Sequence, residues 1–145
     1  MRESAVATDC QNVLQANSRF YQVLSALDLE AMEGIWLRED WVRCVHPGWT
    51  ELESWEAVRE SWKHIFENTQ VLQVTISQAF VHVEGDLGWV SCVEKVSSTG
   101  EGQIDLGYVQ ATNLFVRRGE RWLMVLHHAS HLPASLQSGE QETVH

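Results

Sequence analysis

The residues of this chain best suited to chemistry are one carboxylate, Glu94, and three histidines, His46, His127 and His128, each lying in an otherwise apolar run. A carboxyl lifted toward neutrality by burial, or an imidazole kept neutral, can take or give a proton near pH 7 when it stands beside a cavity. In "VSCVEKV", strand alternation sets Glu94 on the stripe of Val90, Cys92 and Val96. In "VQATNLF" it sets Asn113 on the stripe of Val109, Ala111 and Phe115. A polar group on such a stripe is paired, protonated or at the wall of a wet pocket if the stripe is buried; the alternative is that the Glu94 stripe faces solvent. In "WLMVLHHASH", Trp122, Met124, Leu126 and His128 fall on one side and Leu123, Val125, His127 and Ala129 on the other, so the two histidines cannot serve one site. The catalytic candidates are Glu94, His46 and His128. The ligand-contact candidates are Trp49, Trp62, Tyr108, Asn113 and His127.

Other chemistries lack support. His127, His128 and His131 do not have the same-face spacing of a helical metal motif, and no phosphate loop, nucleophile elbow or dinucleotide fingerprint is present, so neither a metal nor a cofactor is expected. Cys10, Cys44 and Cys92 lack C-x-x-C spacing and read as reduced thiols. A net charge of -10 repels nucleic acid and anionic membranes alike. No apolar run reaches the roughly 20 residues of a membrane span. The start, "MRESAVATDCQNV", has no apolar core of a signal peptide, and a cytoplasmic location is expected.

The elements that must position these residues follow from periodicity. Val13, Ala16, Phe20, Leu24 and Leu27 mark a long helix from Thr8 onward, and "LEAMEGIW" a short one capped by Asp28. "DWVRCVHPG" reads as a short strand, with a loop after it. "SWEAVRESWKHIF" is an amphipathic helix burying Trp55, Val58, Trp62, Ile65 and Phe66. The period then changes to two in segments 71–83, 87–97, 104–116 and 122–131, separated by Gly-containing turns, which predicts an antiparallel meander. The class is α+β, with one domain over 9–133, a flexible segment 1–8 and a disordered tail 134–145. Strands apolar on both faces have two surfaces to cover, which predicts a homodimer.

The order of these elements, with "HPGW" at 46–49, "SWEAVRESW" at 54–62, "CVE" at 92–94, "ATNLF" at 111–115 and "HHAS" at 127–130, resembles the SnoaL-like branch of the nuclear transport factor 2-like superfamily. The resemblance implies a cone-shaped α+β barrel, three N-terminal helices packed on a strongly curved antiparallel sheet that encloses an apolar pocket. It implies a small hydrophobic ligand and sheet-mediated dimers. The stretch "TNLFVRRGERWLMVLHHAS" is also similar to the association domain of calcium/calmodulin-dependent kinase II, but Glu94 and Asn113 stand where that domain has arginines. Two functions follow from the resemblance: a small-molecule-binding or association module, or an isomerase, dehydratase or cyclase working by acid–base catalysis without a cofactor.

Overall fold

The computed structural model describes residues 2–100 and 102–133; the expected tail, 134–145, lies outside them. The elements are α1 (Arg2–Ala26), α2 (Leu29–Glu33), β1 (Arg43–Val45), β2 (Leu52–Glu53), α3 (Trp55–Glu67), β3 (Val71–Glu84), β4 (Leu87–Gly100), β5 (Gln103–Arg118) and β6 (Arg121–His131). Helix α1 begins at Arg2 rather than near Thr8. Asp9 therefore lies within the helix, and its Oδ1 accepts a 2.8 Å hydrogen bond from Arg117 Nη1 on β5. Asp28 caps α2 as the sequence predicts, its Oδ1 accepting from the Ala31 amide at 3.0 Å, and Ser54 caps α3, its Oγ accepting from the Ala57 amide at 3.4 Å.

All six strands form one sheet in the order β2-β1-β6-β5-β4-β3. The meander β3 to β6 is antiparallel, but β1 lies parallel to β6, with Cys44 opposite His127, so the sheet is mixed rather than wholly antiparallel. The reason is topological: β1 joins the free edge of the last meander strand, and β6 runs in β1's direction. The stretch expected as a loop after β1 contains β2, which pairs Leu52 with Cys44.

Helix α1 packs on β3, β4 and β6 together, as only a sheet that curls around it allows. Two bulges assist the curl. One is at Gln78 and Ala79 in β3, where Gln78 has φ 55; the other skips Val125 in β6. The second changes the parity of β6. Trp122 and Met124 point inward before it, and Val125, His127 and Ala129 after it. The concave side carries the core, in which Phe20, Met32, Trp36, Trp62 and Phe115 are almost completely buried. Trp55 stacks at the side, 6.0 Å from Trp36. Among the described residues, no helix is long and apolar enough to cross a membrane.

Gly88 marks where α1 comes nearest to β4. A Cβ built there would lie 2.6 Å from Val13 Cγ2, and Val13 is itself fully buried and β-branched, so it cannot swing aside. Gly88→Ala is expected to lower stability by about 1–3 kcal/mol in urea titration, the usual cost of overpacking. An unchanged midpoint would show that α1 rides loosely on the sheet.

Candidate functional site

Between α1, α3 and the concave face of the sheet lies an open cavity of about 770 Å³. Its apolar wall comes from Leu24 of α1, Trp62 and Ile65 of α3, Leu72 and Val74 of β3, and Val109 of β5. The polar groups brought to it include Glu94 of β4, His127 of β6 and His46, which follows β1 directly. Trp49, in the loop after "HP", closes one side and is 41% exposed, as suits a residue at the mouth.

Behind the cavity wall a hydrogen-bond network joins α1 to three strands. The Tyr21 hydroxyl donates to Glu94 Oε2 at 2.6 Å. Asn113 Nδ2 donates to Asn17 Oδ1 at 2.8 Å and to the Tyr21 oxygen at 3.1 Å. With both amide protons committed, Asn113 Oδ1 is left to accept from His127 Nδ1 at 2.7 Å. All five side chains are buried, so each bond is formed where water does not compete.

His46 is fixed separately. Its ring stands edge to face against Trp49 at 4.7 Å and Trp62 at 4.6 Å, and its Nε2 lies 2.9 Å from Ser61 Oγ. The single Ser61 proton goes to the Val58 carbonyl at 2.6 Å, so His46 Nε2 is the donor in the pair. The His46 and His127 ring centres are 6.3 Å apart.

Burial sets the charge states. It lifts the Glu94 carboxyl to about 7, against the Tyr21 hydrogen bond, which pulls it down. It pushes His46 down to about 4. His127 falls to about 3, through burial first and then repulsion from His46 and His128. Tyr21 is raised out of the titrating range by burial and by the neighbouring Glu94. Near neutral pH the site holds two uncharged imidazoles and one carboxyl poised between its two forms.

Glu94, His46, His127, Trp49 and Trp62 thus all reach the cavity, and Asn113 supports it from behind. Two candidates do not. His128 is exposed on the convex face, because the bulge at Val125 reverses the parity expected for β6. Tyr108 alternates with the inward Val109 and also faces outward. The sequence reading missed Asn17 and Tyr21. Asn17 sits four residues after Val13 and three before Phe20, a polar member of the α1 stripe just as Asn113 is of the β5 stripe, and that spacing is its signal in the sequence. Among the described residues, no His, Cys, Asp and Glu side chains are grouped so as to hold a metal ion.

The curled sheet wrapped on helices around a pocket is the fold of the nuclear transport factor 2-like proteins. Residues 13–135 match the model of the SnoaL-like domain, and the chain belongs to that family. A candidate dehydratase of the NTF2-like family from Streptomyces avermitilis is 34% identical, with a TM-score of 0.83 over 88% of this chain and 99% of its own. A candidate calcium/calmodulin-dependent protein kinase type II association domain from Thiobacillus denitrificans is 30% identical, with a TM-score of 0.67 over 81% of this chain and 93% of its own. The F-box protein SKIP8 of Arabidopsis thaliana is 26% identical over 133 residues, which are 92% of this chain and 54% of that protein. The chain therefore spans about half the length of this curated relative.

Because the Glu94 carboxyl rises from 4.5 to about 7 on folding, the folded state holds its proton more tightly than the unfolded chain, and stability drops as pH rises through that window. Relative to Glu94→Gln, the native protein is expected to lose on the order of 3 kcal/mol between these limits, read by denaturant titration at several pH values. Carbon NMR of the Glu94 carboxyl should give a midpoint near 7, and Tyr21→Phe should move it higher. A midpoint in the ordinary carboxylate range would remove Glu94 from the site.

Proposed function

We propose that the cavity is the active site of an enzyme that shuttles a proton on a small, largely apolar molecule, with Glu94 as the acid–base group. The observation that carries this reading is the placement of a carboxyl with a midpoint of about 7 on the wall of an apolar cavity, oriented by the Tyr21 hydroxyl. Ionised, Glu94 takes a proton from a carbon next to a carbonyl. Protonated, it returns the same proton to another atom on that face of the substrate. Removal and return by one carboxyl suits isomerisation, or dehydration in which the leaving hydroxyl lies on the same face. His46 and His127 are too weakly basic at neutral pH to compete for the proton, and they serve as uncharged hydrogen-bond partners. The 34% identical candidate dehydratase supports the same class of reaction.

The test is exchange of the α-protons of a panel of small cyclic ketones in deuterated water. The native protein is expected to catalyse exchange on at least one of them, with a rate that rises with pH through a midpoint near 7. Glu94→Gln should fold normally and lose about 10²–10⁴-fold of that rate. Exchange no faster than in the variant across the panel would refute the reading and leave a binding or association role.

The convex face of the sheet favours a homodimer. Phe80 and Trp89 are 51% and 40% exposed there, with ring centres 5.8 Å apart, and His82 lies against Trp89. Light scattering at micromolar concentration is expected to give the mass of two 16.5 kDa chains, and Trp89→Glu to give one. A monomeric native protein would exclude this assembly.

A further inference from the structure

One side of α1 turns away from the cavity. On it Asn12, Gln15, Arg19 and Gln22 recur at helical spacing and line an open groove of about 640 Å³, whose other wall is Trp122 and the β5–β6 turn. Smaller clefts continue the groove past Arg19 toward Gly34 and past Asn12 toward Arg117. None of the four α1 side chains has a hydrogen-bond or ion-pair partner among the described residues. Arg121 enters from β6, where its Nη2 donates to the Gly34 carbonyl at 2.8 Å; this anchors the guanidinium on the lining and leaves its other N–H groups unused by the described residues. The charge of the lining runs against that of the chain. Of 20 acidic residues in a chain of net charge -10, none falls between Cys10 and Leu27. The charged lining residues are Arg19, Arg117 and Arg121 against Glu120. Arg117 is taken by Asp9 and Asp86, and Glu33 at the nearby end of α2 is taken by Arg59. Two cations, Arg19 and Arg121, are left facing one carboxylate, Glu120, at the Asn12 end.

We propose that this groove binds an extended acidic segment of a partner protein, with Arg19 and Arg121 holding its carboxylates and Asn12, Gln15 and Gln22 pairing with its main chain. An arginine fork meets a carboxylate in two parallel hydrogen bonds. A side-chain amide both donates and accepts, as a peptide unit does, so a row of three suits an extended chain better than it suits a small ion. From Asn12 to Gln22 the row is about 15 Å long at 1.5 Å per residue, the span of about four to five extended residues. The net charge of the chain does not oppose such a partner, because at physiological salt a charge is felt over only about 8 Å and a short segment stays on the groove. A nucleic acid would run past it onto the acidic remainder. The groove shares no lining residue with the cavity or with the Phe80 and Trp89 patch, so a partner held there leaves both free.

The test pans a phage-displayed library of random dodecapeptides against the full-length native protein and measures the enriched sequences as free, labelled peptides by fluorescence anisotropy. These peptides are expected to be rich in Asp and Glu, and to bind Arg19→Ala about tenfold or more weakly than the native protein. Arg19 has no partner in the fold to lose, so this variant reads binding rather than folding. Glu120→Gln should bind the same peptides more tightly, and Gln15→Ala with Gln22→Ala should bind them several-fold more weakly through loss of main-chain pairing. Enrichment of no peptide, enrichment without an acidic excess, or acidic peptides that bind Arg19→Ala as tightly as the native protein overturns the inference. Complete displacement of the peptide by millimolar inorganic phosphate or acetate would reveal a small-anion site and overturn it too. So would a labelled single-stranded dodecanucleotide that binds as tightly as the peptides with the same dependence on Arg19.

Discussion

The bond between the Tyr21 hydroxyl and Glu94 is the constraint on which the rest of this molecule turns. It brings a carboxyl into a core whose neighbours are Val90, Cys92, Val109 and Ala111, where an unpaired charge would cost several kcal/mol. The solution is collective. Tyr21 is held by Asn113, Asn113 by Asn17 and His127, and these residues come from α1, β4, β5 and β6. Sliding any one element along the others would leave buried donors and acceptors unpaired, so the network fixes register as well as charge. Arg117 reinforces the same alignment from outside, tying β5 to Asp9 of α1 and to Asp86 in the β3–β4 turn while lying 4.9 Å over Trp122.

Much of this was legible in the sequence, because the physics that shapes it is local. Alternation in β4 and β5 depends only on the pleat, and it set Glu94 and Asn113 on apolar stripes, which the fold then buries. The stripe of α3 and the caps Asp28 and Ser54 are short-range effects of the same kind. His128 shows where local reasoning ends. Its parity depends on whether β6 contains an extra residue, and the bulge at Val125 is imposed by pairing with β5, which "WLMVLHH" does not encode by itself. The parallel placement of β1 is likewise a consequence of where the chain returns, not of the three residues that form it. Tyr108 shares a strand with inward residues but alternates with them, and an aromatic next to a pocket stripe is not thereby in the pocket.

The tryptophans and the histidine of "CVHPGW" divide between the core and the cavity wall in a way their clustering conceals. Trp62 is buried against Phe20 at 5.8 Å and still forms part of the cavity wall, while Trp49 touches the same His46 from the solvent side. His46 is therefore enclosed by aromatic edges on two sides, which both desolvates it and holds the ring in one plane. An imidazole so confined keeps a single orientation at the cavity wall.

The bulge at Val125 has a consequence for how such a site changes over evolutionary time. The extra residue lies only two positions before a pair of adjacent histidines, and losing it would restore plain alternation, with Met124 still opposite Phe115, Leu126 opposite Leu114 and His127 opposite Asn113. Point substitution alters the chemistry of a strand one side chain at a time. A single-codon deletion here would instead remove the local kink while each remaining side chain of β6 kept its face. Length at this position is thus a means of changing how tightly the sheet curls around α1 and α3 without exchanging the residues that line the cavity.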